Sequence, residues 1–223
     1  MALDRARIVD EAVALLDAEG LDGVTTRKLA ARLGVQSPTL YWHVPNKAAL
    51  VTAIAEAILE QEFPDLAPPG PEEPWQDWLS ALAGRLRRAL LAHPDGARVL
   101  SAAQLCRKMA AISELAMSTL VARGIPLHQA RVIVLTVERF TFGHVLEEQA
   151  PRPDSVATKD FDMASFTEQH PTMIAGITEY FQAGRTVDDL FRDCLQLIID
   201  PPPVTGEKGD NAREASADDS PAR

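Results

Sequence analysis

Three features of the sequence predict an all-α fold. Apolar residues recur at three- and four-residue steps along most of the 223 residues, and no segment alternates apolar and polar residues with period two. Gly, Pro, Ser and Thr punctuate these repeats where helices start and stop. Ile8, Ala12, Leu15 and Leu16 share one face of a first helix, expected from about Asp4 to Glu19 and stopped by Gly20. Thr25 or Thr26 can cap a short second helix carrying Leu29, Ala30 and Leu33. Gly34 ends it, because glycine reaches the left-handed conformation of a helix stop. Ser37 followed by Pro38 reads as an N-cap with proline at the first helical position, opening a third helix to about His43. Asn46 or Lys47 begins a fourth, with Leu50, Ile54, Ile58 and Leu59 at helical spacing.

Five prolines from Pro64 to Pro74 mark a linker. Beyond it Leu79, Leu82, Leu86 and Leu90 define an amphipathic helix over about Glu73 to Ala92. Further helices are expected near 95–101, 107–123, 127–149, 164–181 and 186–199, with a loop from Pro151 to Asp160. Pro201, Pro202 and Pro203 stop the last helix, and residues 204–223 hold too little apolar surface to fold. The expected organisation is a small N-terminal domain (1–46), a larger helical domain (47–200) and a disordered tail (201–223).

Apolar residues at 46% and charged residues at 24% suit a globular chain with a sizeable core. Two cysteines, Cys106 and Cys194, exclude a disulfide framework. The most apolar internal run, Val132 to Val137, is fenced by Arg131 and Glu138 and falls far short of a membrane span. With no signal-peptide pattern at the N-terminus, a cytoplasmic protein without membrane contact is expected. The net charge of -10 argues against nucleic acid, yet the acids are unevenly placed. None occurs between Asp22 and Glu56, a window that contains Arg27, Lys28, Arg32 and Lys47 and so carries a local +4.

Two short helices joined around Gly34, with a third before them, have the layout of a helix-turn-helix. The reading helix of that motif presents its N-terminal side chains to a major groove. Ser37, Thr39, Tyr41, Trp42 and His43 offer it hydroxyls and rings with no repelling carboxylate, and Arg27, Lys28 and Lys47 stand where phosphates would be met. An aromatic pair taken alone reads first as core. Coincidence with the acid-free window, the Gly34 stop and the Ser37-Pro38 start favours DNA binding.

Thr25-Thr26-Arg27-Lys28-Leu29-Ala30, Leu33-Gly34-Val35, Pro38-Thr39-Leu40-Tyr41-Trp42-His43-Val44 and Asn46-Lys47 closely resemble the DNA-binding domain of the TetR family. The likeness continues in Trp75-Gln76-Asp77, Ala89-Leu90-Leu91, His93, Asp95-Gly96-Ala97, Val99, Phe140-Thr141, Gly143 and Val145-Leu146-Glu147. It implies a homodimeric repressor that holds a palindromic operator until a small effector binds the C-terminal domain. The family pattern carries DNA contact to Thr26, Arg27, Lys28, Gln36, Ser37, Pro38, Thr39, Tyr41, Trp42, His43 and Lys47. Ser37 departs from that pattern, which has glutamine there, and a serine cannot make an amide's bidentate contact to adenine.

The same resemblance locates a site that, in the family's founding members, takes a magnesium chelate of tetracycline. Its histidine and threonine serving the metal correspond to Leu100 and Ala103. The histidine and asparagine that hold the drug correspond to Phe63 and Leu82, a glutamine to Ala116 and an aromatic wall to Leu86. Only Glu147 is kept. Alkyl groups in place of imidazole, hydroxyl and amide remove the oxygen-rich shell that magnesium requires. No metal site, no cofactor and no response to magnesium tetracycline are therefore expected. A mostly apolar effector is expected instead, among Leu100, Leu105, Met117 and Val134, with Trp78, Arg131, Arg139, His144 and Glu147 as polar anchors. Leu82, Leu86, Leu100 and Met117 read equally well as core. His144 and Glu147 stand at metal-ligand spacing but read first as a solvated or dimer-facing pair, and His93 and His128 read as helix-end or surface residues. Dimer contacts are implied for 127–149 and 186–199, and 95–105 is implied to link effector and DNA. An activator or metabolite sensor of the same fold stays open. An enzyme is disfavoured by the absence of Gly-x-Ser-x-Gly, of a phosphate-cradling glycine loop and of His-Glu-x-x-His.

Overall fold

The computed structural model describes residues 3–150 and 161–200, within which lie eleven α-helices and no strand. They are α1 (Arg5–Gly23), α2 (Thr26–Leu33), α3 (Ser37–Tyr41), α4 (Lys47–Glu62), α5 (Trp75–Leu91) and α6 (Gly96–Ala102), then α7 (Arg107–Ala122), α8 (Leu127–Glu148), α9 (Met163–Gln169), α10 (Pro171–Gln182) and α11 (Val187–Ile199). The starts have local chemical causes. Side-chain oxygens of Asp4, Thr25 and Asn46 accept from backbone N–H groups three residues on, satisfying donors that a helix start leaves unpaired. Thr186 and Asp189 close a reciprocal capping box at α11.

Gly20 does stop the first regular helix, at φ 69°, but the chain then makes one more turn to Gly23. Gly34, at φ 69° and ψ 29°, closes α2 as expected. Two expectations are corrected. Gln36, not Ser37, is the cap position of α3; Ser37 already lies in the first turn, and the helix ends at Tyr41. The segment 164–181 is two helices, broken at His170 because Pro171 has no N–H and cannot continue the turn before it. The loop expected at 151–160 and the tail expected at 201–223 lie outside the described residues.

α1, α2, α3 and the start of α4 bury Ile8, Leu15, Leu16, Leu29, Leu40, Leu50 and Ile54. α4 then runs on as a rod against α5, α6 and α7, while α8 packs on α5 and α7 and is covered in turn by α11. Arg87 ties three helices together: it makes a forked pair with Glu148 at 2.8 and 2.5 Å and reaches Asp188 at 2.7 Å. α9 and α10 touch each other, and no residue of either is buried.

A second set of bonds joins α1 to the turn between α5 and α6. The Asp95 carboxylate accepts from the Leu21 N–H at 2.9 Å, Arg98 bridges Asp95 and Asp22, and His93 lies 2.6 Å from Asp17. Of the two places expected for His93, helix end or surface, it takes the first: it follows the end of α5, buried and bonded. Burial opposes ionisation of Asp95, but the Leu21 N–H and the Arg98 guanidinium hold its carboxyl below the usual carboxylate range. Gly96 makes this turn possible, since a Cβ there would stand 2.1 Å from the backbone oxygen of Leu90. Gly96→Ala must push α5 and α6 apart and is expected to lose about 2–3 kcal/mol of stability, measured as a fall in the urea midpoint at unchanged slope.

Candidate DNA interface and effector cavity

The short helix α3 hangs on Leu40, which is buried, and turns its other side chains outward. Trp42 is 90% exposed and Tyr41 50%. A core role for this aromatic pair is excluded in this chain. Arg27, Lys28, Gln36, Pro38, Thr39 and Lys47 are exposed, and Thr26, Ser37 and His43 are half-buried on the same surface. Lys47 opens α4, beside N–H groups whose dipoles favour an anion.

The charge of this surface is smaller than the sequence count. Lys28 is paired with Glu19, and Arg32 lies 2.5 Å from Glu11, so two of the window's four cations are matched by acids of α1. Arg27 and Lys47 have no ion pair among the described residues.

Away from this surface, α5, α7 and α8 line a cavity of about 20 Å³. Its walls are Leu79, Leu82, Ala83, Leu86, Ile112, Ala116, Val134, Val137 and Glu138. Of the residues expected at an effector site, Leu82, Leu86, Ala116 and Val134 therefore meet. The others do not line this cavity. Phe63 is fully buried under the Arg85 guanidinium, 4.6 Å from its ring centre. Trp78 is buried too, and its indole N–H donates to the Ala67 carbonyl, pinning the proline-rich linker. Leu100 belongs to the core under α6, Ala103 and Met117 are half-buried, and Arg131 and Glu147 are exposed. Leu105 is 96% exposed and lines a separate open cleft of about 740 Å³ between α1, α4 and α7, among Arg5, Asp10, Glu60 and Lys108.

Sequence reasoning passed over Glu138, the cavity's one ionisable wall. Ser113 Oγ donates to it at 2.5 Å. Burial pushes its carboxyl above the ordinary range, against the pull of Ser113, Arg131 and Arg139. The signal was available: Glu138 stands four residues after Val134, hence on the same helix face. His144 and Glu147 do not converge. The His144 ring lies between Phe140 and Phe191, with centroids at 5.5 and 5.2 Å, and Glu147 faces outward. Among the described residues no three His, Cys, Asp or Glu side chains gather as a metal ion would require. Nor is any helix among them long and apolar enough to cross a membrane.

Comparison with known proteins agrees with this geometry. Residues 8–54 match the family described as bacterial regulatory proteins, tetR family, and residues 67–201 match the tetracyclin repressor-like C-terminal domain. The chain is 36% identical over 193 residues to the class A tetracycline repressor protein of Escherichia coli, covering 86% of this chain and 87% of the repressor. It superposes with a TM-score of 0.70 and 34% identity on a TetR variant from Acinetobacter baumannii AYE in complex with minocycline, over 89% of this chain and 92% of that one. BioQ with its double-stranded DNA operator gives a TM-score of 0.59 at 30% identity, over 68% and 90%. A helix-turn-helix with its rings in solvent, set on a helical body of this arrangement, belongs to a transcriptional regulator, and this chain is a member of the TetR family.

Proposed function

We propose that the chain is a homodimeric repressor that binds a palindromic operator and lets go when a small, mostly apolar effector enters the cavity between α5, α7 and α8. The observation that carries the DNA reading is the exposure of Trp42 and Tyr41 on a helix anchored by Leu40 and free of acids. A tryptophan left in water forgoes burial that a groove can supply. In this reading α3 enters the major groove, Arg27 and Lys47 meet phosphates from either side, and the hydroxyls of Ser37 and Thr39 read base edges. Lys28 must leave Glu19 to reach a phosphate, so it contributes less than Lys47. The relation to BioQ, whose operator complex is known, supports the same reading.

Unpartnered apolar surface supports a dimer. Met173, Ile177 and Phe181 follow at four-residue steps on α10, and all three are exposed. Val132 and Leu146 on α8 and Leu197 on α11 are exposed as well. A second copy covering these faces would set the two reading helices about 34–36 Å apart, one turn of DNA. Such a protein works in the cytoplasm, where the operator is.

Release is then a population shift: the effector binds better to a form whose heads are misplaced for DNA. Magnesium tetracycline fits this cavity poorly. Leu82, Leu86, Ala116 and Val134 offer no lone pair, and each polar group of the chelate left unpaired would cost about 1–3 kcal/mol.

Two measurements test this reading. By fluorescence anisotropy on a selected operator, Tyr41→Ala and Lys47→Ala are each expected to weaken binding about tenfold or more. Lys47→Ala should also lower the slope of log affinity against log salt by about 2, one phosphate contact being lost in each subunit. Unchanged affinity in both variants, with unchanged folding, rejects the DNA face. Magnesium with tetracycline is expected to leave the operator bound; release at micromolar drug rejects the apolar-effector reading.

A further inference from the structure

The cavity sets eight apolar walls beside one residue that carries a carboxyl group, and that asymmetry bears on the charge of what it can hold. Leu79, Leu82, Ala83 and Leu86 come from α5, Ile112 and Ala116 from α7, and Val134 and Val137 from α8 beside Glu138. None of the eight can donate or accept a hydrogen bond. An ionised carboxylate has about four lone-pair sites. Here one bond, from Ser113 Oγ, is available to it, and that hydroxyl also lies 3.0 Å from the Met109 carbonyl. No lysine, arginine or histidine lies within ion-pairing distance of Glu138 among the described residues. Arg131 and Arg139, its nearest cations along α8, are both exposed, and from the facing helices only Ser113 reaches it with a polar group. Glu138 is half-buried, and its second oxygen, which has no protein donor among the described residues, is open to a donor on a ligand.

We infer that the effector is an amphipathic amine, its aliphatic or aromatic body lodged among α5, α7 and α8 and its protonated nitrogen hydrogen-bonded to Glu138. This rests on the effector reading proposed above and narrows it to a chemical class. An anionic ligand would meet Glu138 in repulsion, and a neutral acceptor would find only the Ser113 hydroxyl. A cation supplies what the site lacks, with the low-polarity walls strengthening the pair. At about 20 Å³ the cavity holds no more than one water, so the amine must part the three helices as it enters. Ala83 and Ala116 are the small wall residues against which a ring could settle.

The test uses the full chain and three probes of matched body: naphthylethylamine, naphthylethanol and naphthylacetate. Binding is measured by calorimetry for the parent protein and for Glu138→Gln, and operator release by anisotropy. The amine is expected to bind the parent about tenfold or more tighter than the alcohol, with the carboxylate weakest, in line with a hydrogen bond to a charged group. Glu138→Gln should bring amine and alcohol to within about twofold of one another while still binding the alcohol. That ratio is taken within one protein, so a general loss of stability does not produce it. No binding of the amine, equal binding of amine and alcohol by the parent, or an undiminished amine preference in Glu138→Gln overturns the inference. Amine binding through Glu138 that leaves the operator in place supports the site and overturns the release mechanism instead.

Discussion

The contact on which the arrangement of this chain depends is the bond from the Leu21 N–H to the Asp95 carboxylate. Gly20 turns the end of α1 out of helical geometry and leaves an amide without an intrahelical partner. Asp95, itself at φ 58° just before α6, supplies the acceptor 2.9 Å away. Asp22 and Asp17 then bind Arg98 and His93 on either side of that acceptor. Three polar links thus join the helix-turn-helix to the α5–α6 turn over one small area, alongside the apolar packing of α4. They are directional, so a small shift of α6 either carries α1 with it or breaks them. A purely apolar joint would let the two parts slide.

A parallel connection lies on α4. Thr52 Oγ1 accepts the Gln104 N–H at 3.0 Å, and its one proton lies between the carbonyls of Ala48 and Gln104, at 3.0 and 3.2 Å. Glu56 accepts from the backbone N–H groups of Arg107 and Lys108, at 2.5 and 2.9 Å, capping α7 from outside its own sequence. Between them Leu105 is held at φ 50°, a conformation that costs a bulky residue about 1–2 kcal/mol. The α6–α7 turn is therefore bonded to the rod that carries the reading head, and it is under backbone strain. α7 also walls the cavity. Parting α7 from α5 and α8 would pull on α4 through Glu56 and on the turn through Thr52, a physical path from effector to α3 that needs no further element.

What the sequence made legible was local. Caps at Asp4, Thr25, Asn46 and Thr186 and the Gly34 stop follow from neighbours three or four residues apart, where the chemistry is written in order along the chain. The break at Pro171 was equally local, but the apolar repeat of Met173, Ile177 and Phe181 hides it by continuing the helical spacing past the proline. Pairings across the fold were not legible. Nothing near Lys28 announces Glu19 as its partner, because a gap of nine residues across a turn has no fixed geometry until the helices pack. His93 and Asp17 are 76 residues apart for the same reason. At the proposed effector cavity, family resemblance pointed to positions that serve a different ligand in the founding members. Three of them, Leu82, Leu86 and Ala116, do meet, but the polar group came from Glu138, which sequence position alone made the fence of an apolar run.

Charge sets the last constraint. The chain carries -10 overall, and acids of α1 pair Lys28 and Arg32 of α2, the helix that precedes α3. A protein of this balance gains little from the phosphate backbone at a distance, and its non-specific affinity for DNA must be low. On the proposed reading, binding then has to come from close contact: the rings of Tyr41 and Trp42, the hydroxyls beside them, and the two cations, Arg27 and Lys47, that no acid pairs among the described residues. This trades reach for discrimination, since short-range groups act only when the base sequence and the spacing of the two heads are both right. On the reading proposed above, how far the operator is cleared depends on how much better the effector binds the form whose heads are out of register, because that difference alone sets the shift in population.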